Sequence, residues 1–106
     1  KNYDGASKTT LLHFGDLIRQ MGKEDEAEKY YRYFLHQNCD DRIQVADCYH
    51  SLGILAEKKK KLDQSLQYHL DALAMKLARL EPHDSKLARS YQSLGRAYRQ
   101  QGDFPQ

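Results

Sequence analysis

The chain is poor in the residues that break or cross-link a fold. Two prolines and six glycines in 106 residues leave room for long helices. Two cysteines, Cys39 and Cys48, do not make a disulfide framework, which points to a reducing compartment and a cytoplasmic location. Apolar runs are only a few residues long and no signal-peptide pattern opens the chain, so neither a membrane span nor a membrane partner is expected. A net charge of +2 is too small to argue for nucleic acid. Gly-rich phosphate loops, nucleophile motifs and a His-Glu-x-x-His dyad are all missing, so neither catalysis nor a cofactor is expected. The acidic run Glu24, Asp25, Glu26 and Glu28 is explained by a helix start.

What the chain does hold is a repeat. "SYQSLGRAY" (90–98) echoes "CYHSLGILA" (48–56), and Gly15, Gly53 and Gly95 stand 38 and 42 residues apart, a spacing typical of solenoids. With each glycine as position zero, Phe14, Leu52 and Leu94 occupy −1, and Leu11, Tyr49 and Tyr91 occupy −4. Ile18, Ala56 and Tyr98 occupy +3, which completes one helical stripe. Gly22 and Gly102 at +7 read as C-terminal caps, followed by the acids Glu24, Asp25 and Asp103 that favour a new helix. Second helices carry Ala27, Tyr31, Phe34 and Leu35, matched in the next unit by Ser65, His69, Ala72 and Leu73. Each unit is thus a helix, a turn and a second helix. Glycine inside a helix costs about 1 kcal/mol relative to alanine, so a close helix crossing is expected at all three. Helices are predicted near 7–21, 24–37, 41–58, 62–80 and 84–101, with Asp41 and Asp84 as N-caps. The fourth is expected to outrun the second by about a turn.

This succession resembles the tetratricopeptide repeat over roughly residues 8–106, as two full units and half of a third. Lys60 and Leu62 replace the glycine and aromatic of the second unit's turn, and Ser65 replaces the usual alanine. The long spacing and the stretch "LARLEPHDSKLARSYQSLGRAYRQQGDF" look like the repeats of kinesin light chain or of Pins/LGN-type adaptors. The resemblance implies an all-α, right-handed solenoid of about five helices. It forms one array over 1–106, with units near 8–40, 41–83 and 84–106. It also implies a non-catalytic protein–protein interaction module whose first helices bind a peptide or protein segment. A structural spacer or self-association element is the other reading.

Positions −6, −3, +1 and +4 would face the concave side. They are Thr9, Leu12, Asp16 and Arg19 in unit one, Asp47, His50, Ile54 and Glu57 in unit two, and Arg89, Gln92, Arg96 and Arg99 in unit three. The arginines of unit three suit an acidic partner. The Lys and Asn with which chaperone-binding relatives clamp a carboxylate are replaced by Leu12, Asp16 and Ser51, so that clamp is not expected. His36, Cys39, Cys48 and His50 match no closed zinc pattern. The "KKKK" run (58–61) lacks interleaved aromatics and sits at a turn, against nucleic acid. In "YYRYFL" (30–35), Tyr31, Phe34 and Leu35 share one face and read as core, flanked by Tyr30 and Tyr33. Self-association is expected through Leu87, Leu94, Ala97 and Tyr98, which a further second helix would otherwise cover.

Overall fold

The computed structural model describes residues 5–81 and 83–102, with side chains from residue 8 onward. Five helices follow in order: α1 (Gly5–Gln20), α2 (Glu24–His36), α3 (Arg42–Lys58), α4 (Leu62–Leu77) and α5 (Lys86–Gln101). No strand occurs among the described residues. The helices pair α1 with α2 and α3 with α4, and the pairs stack through α2 on α3 and α4 on α5. The molecule measures 53 × 33 × 19 Å. Its thinnest dimension is that of two helices side by side, each roughly 10 Å across.

The helix ends follow local chemistry. Asp41 caps α3, its side chain accepting from the amides of Ile43 and Gln44 at 3.1 and 3.2 Å. Asp84 works from one residue further out than expected. Ser85 takes the N-cap position without a side-chain bond, and Asp84 Oδ1 accepts from the Lys86 amide at 2.9 Å. α4 stops at Leu77, short of residue 80, yet its 16 residues still exceed the 13 of α2. Gly22 and Gly102 take positive φ, at +85° and +73°. In the second unit Lys60 adopts the same left-handed conformation, φ +65°, so the turn survives loss of its glycine at a cost of about 1–2 kcal/mol. Asp103, read as the acid after the last turn, lies outside the described residues.

The core forms where second helices cross first helices. Leu12, Ala27, Tyr31, Phe34, Val45, Cys48, Leu52 and Leu55 make one buried cluster, with Leu35 packed against it. Tyr31 and Phe34 are completely enclosed, while Tyr33 beside them stays exposed. A Cβ added at Gly15 would lie 2.8 Å from Tyr31 Cε1, and one at Gly53 would lie 2.7 Å from His69 Cε1. Each ring therefore rests on the helix backbone itself, a contact that any side chain would block.

At Gly95 the expected close crossing is not found: no atom lies within 4 Å of an added Cβ. No described second helix follows α5 to bring a ring onto it. The expected open patch is also corrected. Leu87, Leu94 and Ala97 are buried, at 1%, 8% and 1% exposure. Positions −1 and +2 of each later unit face the second helix before them, so α4 already covers Leu94 and Ala97 as α2 covers Leu52 and Leu55. On α5 the exposed large side chain is Tyr91, with Tyr98 half-buried. In unit one positions −1 and +2 hold Phe14 and Leu17, which are exposed.

A polar clasp repeats along the stack. Lys59 at +6 of unit two reaches Asp25 and Glu28 of α2, at 2.7 and 3.1 Å. Gln101, at +6 of unit three, donates to Asp63 on α4 at 2.7 Å. Asp25 and Asp63 are equivalent, both at +10.

The glycines therefore separate by consequence. Gly53→Leu is expected to destabilise by roughly 1–3 kcal/mol through overpacking against His69. Gly95→Ala should instead stabilise α5, by up to about 1 kcal/mol of helix propensity. Urea midpoints of the two variants check this; equal losses in both would contradict the asymmetry.

Candidate functional site

The first helices line up side by side and enclose a cavity of about 440 Å3. Leu12, His13, Asp16, Arg19 and Gln20 of α1 line it, with Asp47, His50, Ser51 and Ile54 of α3 and Arg89 of α5. Every lining residue comes from a first helix. The repeat phase explains this, because the opposite faces of α1 and α3 are spent on the rings of α2 and α4.

Of the positions read as inward-facing, the structure brings together Leu12, Asp16, Arg19, Asp47, His50, Ile54 and Arg89. Thr9 sits instead between helices, accepting from Gln44 Nε2 at 3.1 Å. Glu57 and Arg96 are turned onto each other: Arg96 Nε is 2.6 Å and Nη2 3.2 Å from the Glu57 carboxylate, a bidentate pair. Gln92 and Arg99 are exposed and outside the cavity. His13 and Gln20 lie outside the positions read as inward-facing, and Ser51 enters the sequence reading only as a clamp position. They stand at −2 and +5, one row around the helix from the assumed stripe, and side-by-side packing of α1 and α3 opens that row.

Most charge in the cavity is already neutralised. Asp16 accepts from the Tyr31 hydroxyl and from Ser51 Oγ at 2.9 Å, and Arg19 Nη2 lies 3.5 Å away. Arg19 Nε also donates to the Tyr31 hydroxyl at 3.0 Å. Burial and then the Asp16 contact push the Tyr31 hydroxyl up to about 12, so it stays a neutral donor. Asp47 holds the buried Lys76 ammonium at 3.2 Å. Arg89 differs. It is exposed, and no carboxylate of the described residues pairs with it.

Metal chemistry finds no constellation here. Among the described residues no three His, Cys, Asp or Glu side chains converge to hold an ion. Cys48 is buried against the Tyr31 carbonyl, and burial above all pushes its thiol up to about 12. No helix of the described residues is long and apolar enough to cross a membrane.

Residues 44–106 match the sequence model of the tetratricopeptide repeat. The chain belongs to the tetratricopeptide repeat family. Its fold is also similar to the crystal structure of BtubC (BKLC) from P. vanneervenii, with a TM-score of 0.82 and 27% identity. That similarity covers 95% of this chain and 42% of BtubC, so the chain spans less than half the length of this neighbour. No curated protein matches the sequence. Tetratricopeptide repeats generally mediate protein–protein interaction and are typically non-enzymatic.

Within this tetratricopeptide array two arginines of α5 have opposite duties. Removing Arg96 strands the buried Glu57 carboxylate, so Arg96→Ala is expected to cost on the order of 1–3 kcal/mol. Arg89→Ala, at an exposed unpaired site, should stay within about 0.5 kcal/mol of the parent. Chemical denaturation distinguishes them, and similar losses for both would contradict the pairing.

Proposed function

We propose that this array is a non-catalytic recognition module that holds a segment of a partner protein in the cavity between α1, α3 and α5. The observation that carries the reading is the contrast among the lining charges. Asp16, Arg19 and Asp47 are held by neighbours from inside the protein, whereas Arg89 presents an unpaired guanidinium beside the half-buried Ile54. An acidic side chain of the partner would pair with Arg89, and an apolar one would lie on Ile54. Lys76 and Ser51 hold the carboxylates of Asp47 and Asp16 in place beneath it.

A spacer or self-association role is the second reading, and the end face of α1 supports it. Phe14 and Leu17 are exposed where their counterparts Leu52 and Leu55 are buried under a preceding second helix. An apolar face of this kind favours stacking on another element.

Peptides selected from a random library on the immobilised chain should carry Asp or Glu beside an apolar residue. Their affinity should fall with added salt. Arg89→Glu should weaken them about tenfold or more with an unchanged thermal midpoint. Arg99→Glu, outside the cavity, should leave affinity within about twofold. If the Arg89 variant bound equally well, the groove assignment would be overturned. If Phe14→Ser with Leu17→Ser changed sedimentation while leaving peptide affinity alone, the end face would be an association surface apart from the groove.

A further inference from the structure

One slot occurs twice along the array and is filled with different chemistry. Between units one and two, the ring at +16 is Tyr31. Its hydroxyl meets Asp16, and Ser51 of the next first helix closes on the same carboxylate. Between units two and three, Ser93 stands at the position of Ser51, two before the glycine, but its hydroxyl meets His50 Nδ1 at 3.4 Å. The ring at +16 is now His69, fully buried, with neither ring nitrogen hydrogen-bonded. His50 and His69 meet edge to face with centroids 5.2 Å apart. The shorter imidazole fills the space over Gly53 but carries no hydroxyl to reach the groove side.

We propose that this histidine pair, at the seam between units two and three, makes the packing of α4 and α5 on α3 acid-labile: protonation loosens both from α3, α4 through His69 on Gly53 and α5 through His50 beside Ser93, while α1, α2 and α3 stay packed. The charges around the pair oppose a proton from several sides. Lys76 comes from α4, and Arg89 and Arg96 come from α5. The anions of α3 are paired, Asp47 to Lys76 and Glu57 to Arg96, and of these Glu57 still favours a proton on His69, against burial and Arg96. From α1, His13, Asp16 and Arg19 line the cavity that His50 also lines, with Asp16 and Arg19 bonded to each other. None of the charges acting on the pair comes from α2.

Burial first, then His69 and the cations Lys76, Arg89 and Arg96, hold His50 down to about 3; burial holds His69 down to about 4 although Glu57 pulls the other way, against an ordinary 6.5. An opened seam takes up protons from about pH 6.5 downward, whereas the closed seam refuses them until far lower. Closure is therefore fully stable above pH 6.5 and weakens as pH falls from there. Between pH 7 and 5 each histidine favours opening by about 20-fold. The first seam buries no histidine at the matching positions, where Leu12 and Tyr31 stand instead, and is expected to hold through this range. Because Arg89 sits on α5, opening also removes one wall of the groove, a consequence that rests on the recognition reading above.

Hydrogen exchange of the free chain at pH 7.4 and pH 5.0, corrected for intrinsic rates, tests this acid lability without any ligand. The opening equilibrium of α4 and α5 amides should rise at least about tenfold at pH 5.0, while α1 and α2 keep their protection. The double variant His50→Gln, His69→Tyr places a non-titrating amide beside Ser93 and unit one's ring over Gly53. Its pH 7.4-to-5.0 change should shrink below about threefold. Histidine C2–H resonances of the parent chain give a second readout that needs no variant. For the folded form, those of His50 and His69 should not titrate between pH 7.5 and 5.5. Unchanged protection of α4 and α5, parallel opening of α1 and α2, an undiminished response in the double variant, or titration of either buried ring near 6.5 would each overturn the proposal.

Discussion

The whole array depends on one contact: a ring from the second helix laid on the bare backbone of the first. At Gly15 and Gly53 there is no room for a Cβ, and Tyr31 and His69 occupy the space it would need. That contact sets the distance and rotation of each helix pair. It fixes which stripe of the first helix is spent on packing and leaves the opposite stripe to face its neighbours and the groove. Small residues on the second helix, Ala27 and Ser65, are fully buried at equivalent positions and keep the crossing close. The groove is what remains after this constraint is met.

Repetition of the contact makes the differences between units informative. The first seam uses a tyrosine hydroxyl, a carboxylate and an arginine, and the second uses two neutral imidazoles and a separate Glu57–Arg96 pair. Both bury a ring over the glycine, but they hold charge differently. The first ties an anion to the groove wall, where Asp16 is partly exposed. The second withdraws Glu57 and Arg96 from the groove and leaves Arg89 as the open charge. The same helix-turn-helix unit thus lines the two halves of the groove with different electrostatics.

The repeat was legible because glycine, ring and cap residues act locally. The register of Gly15 and Gly53, the burial of Tyr31 and Phe34, the Asp41 cap and the turn glycines all follow from short-range sterics and helix periodicity. Lys60 shows the limit of local reading, since packing on both sides holds it in a conformation its own chemistry disfavours. Inter-unit facts were harder to read. Arg96 belongs to the inward stripe by periodicity, yet its partner Glu57 lies 39 residues away on another helix. The burial of Leu87, Leu94 and Ala97 likewise depends on how far α4 reaches over α5. His13, Gln20 and Ser51 enter the groove because α1 and α3 lie side by side, an arrangement set between units rather than within either helix.

The proposed recognition surface is the face opposite these ring-on-glycine contacts. The most direct measurement is an amide chemical-shift titration of the isotope-labelled chain with an acidic, partly apolar peptide selected on it. The largest changes should fall on α1, α3 and α5 around Asp16, Ile54 and Arg89, with α2 and the outer face of α4 little affected. Changes centred on Tyr30 and Tyr33 of α2, or on Leu70 and Leu77 of α4, would contradict this assignment.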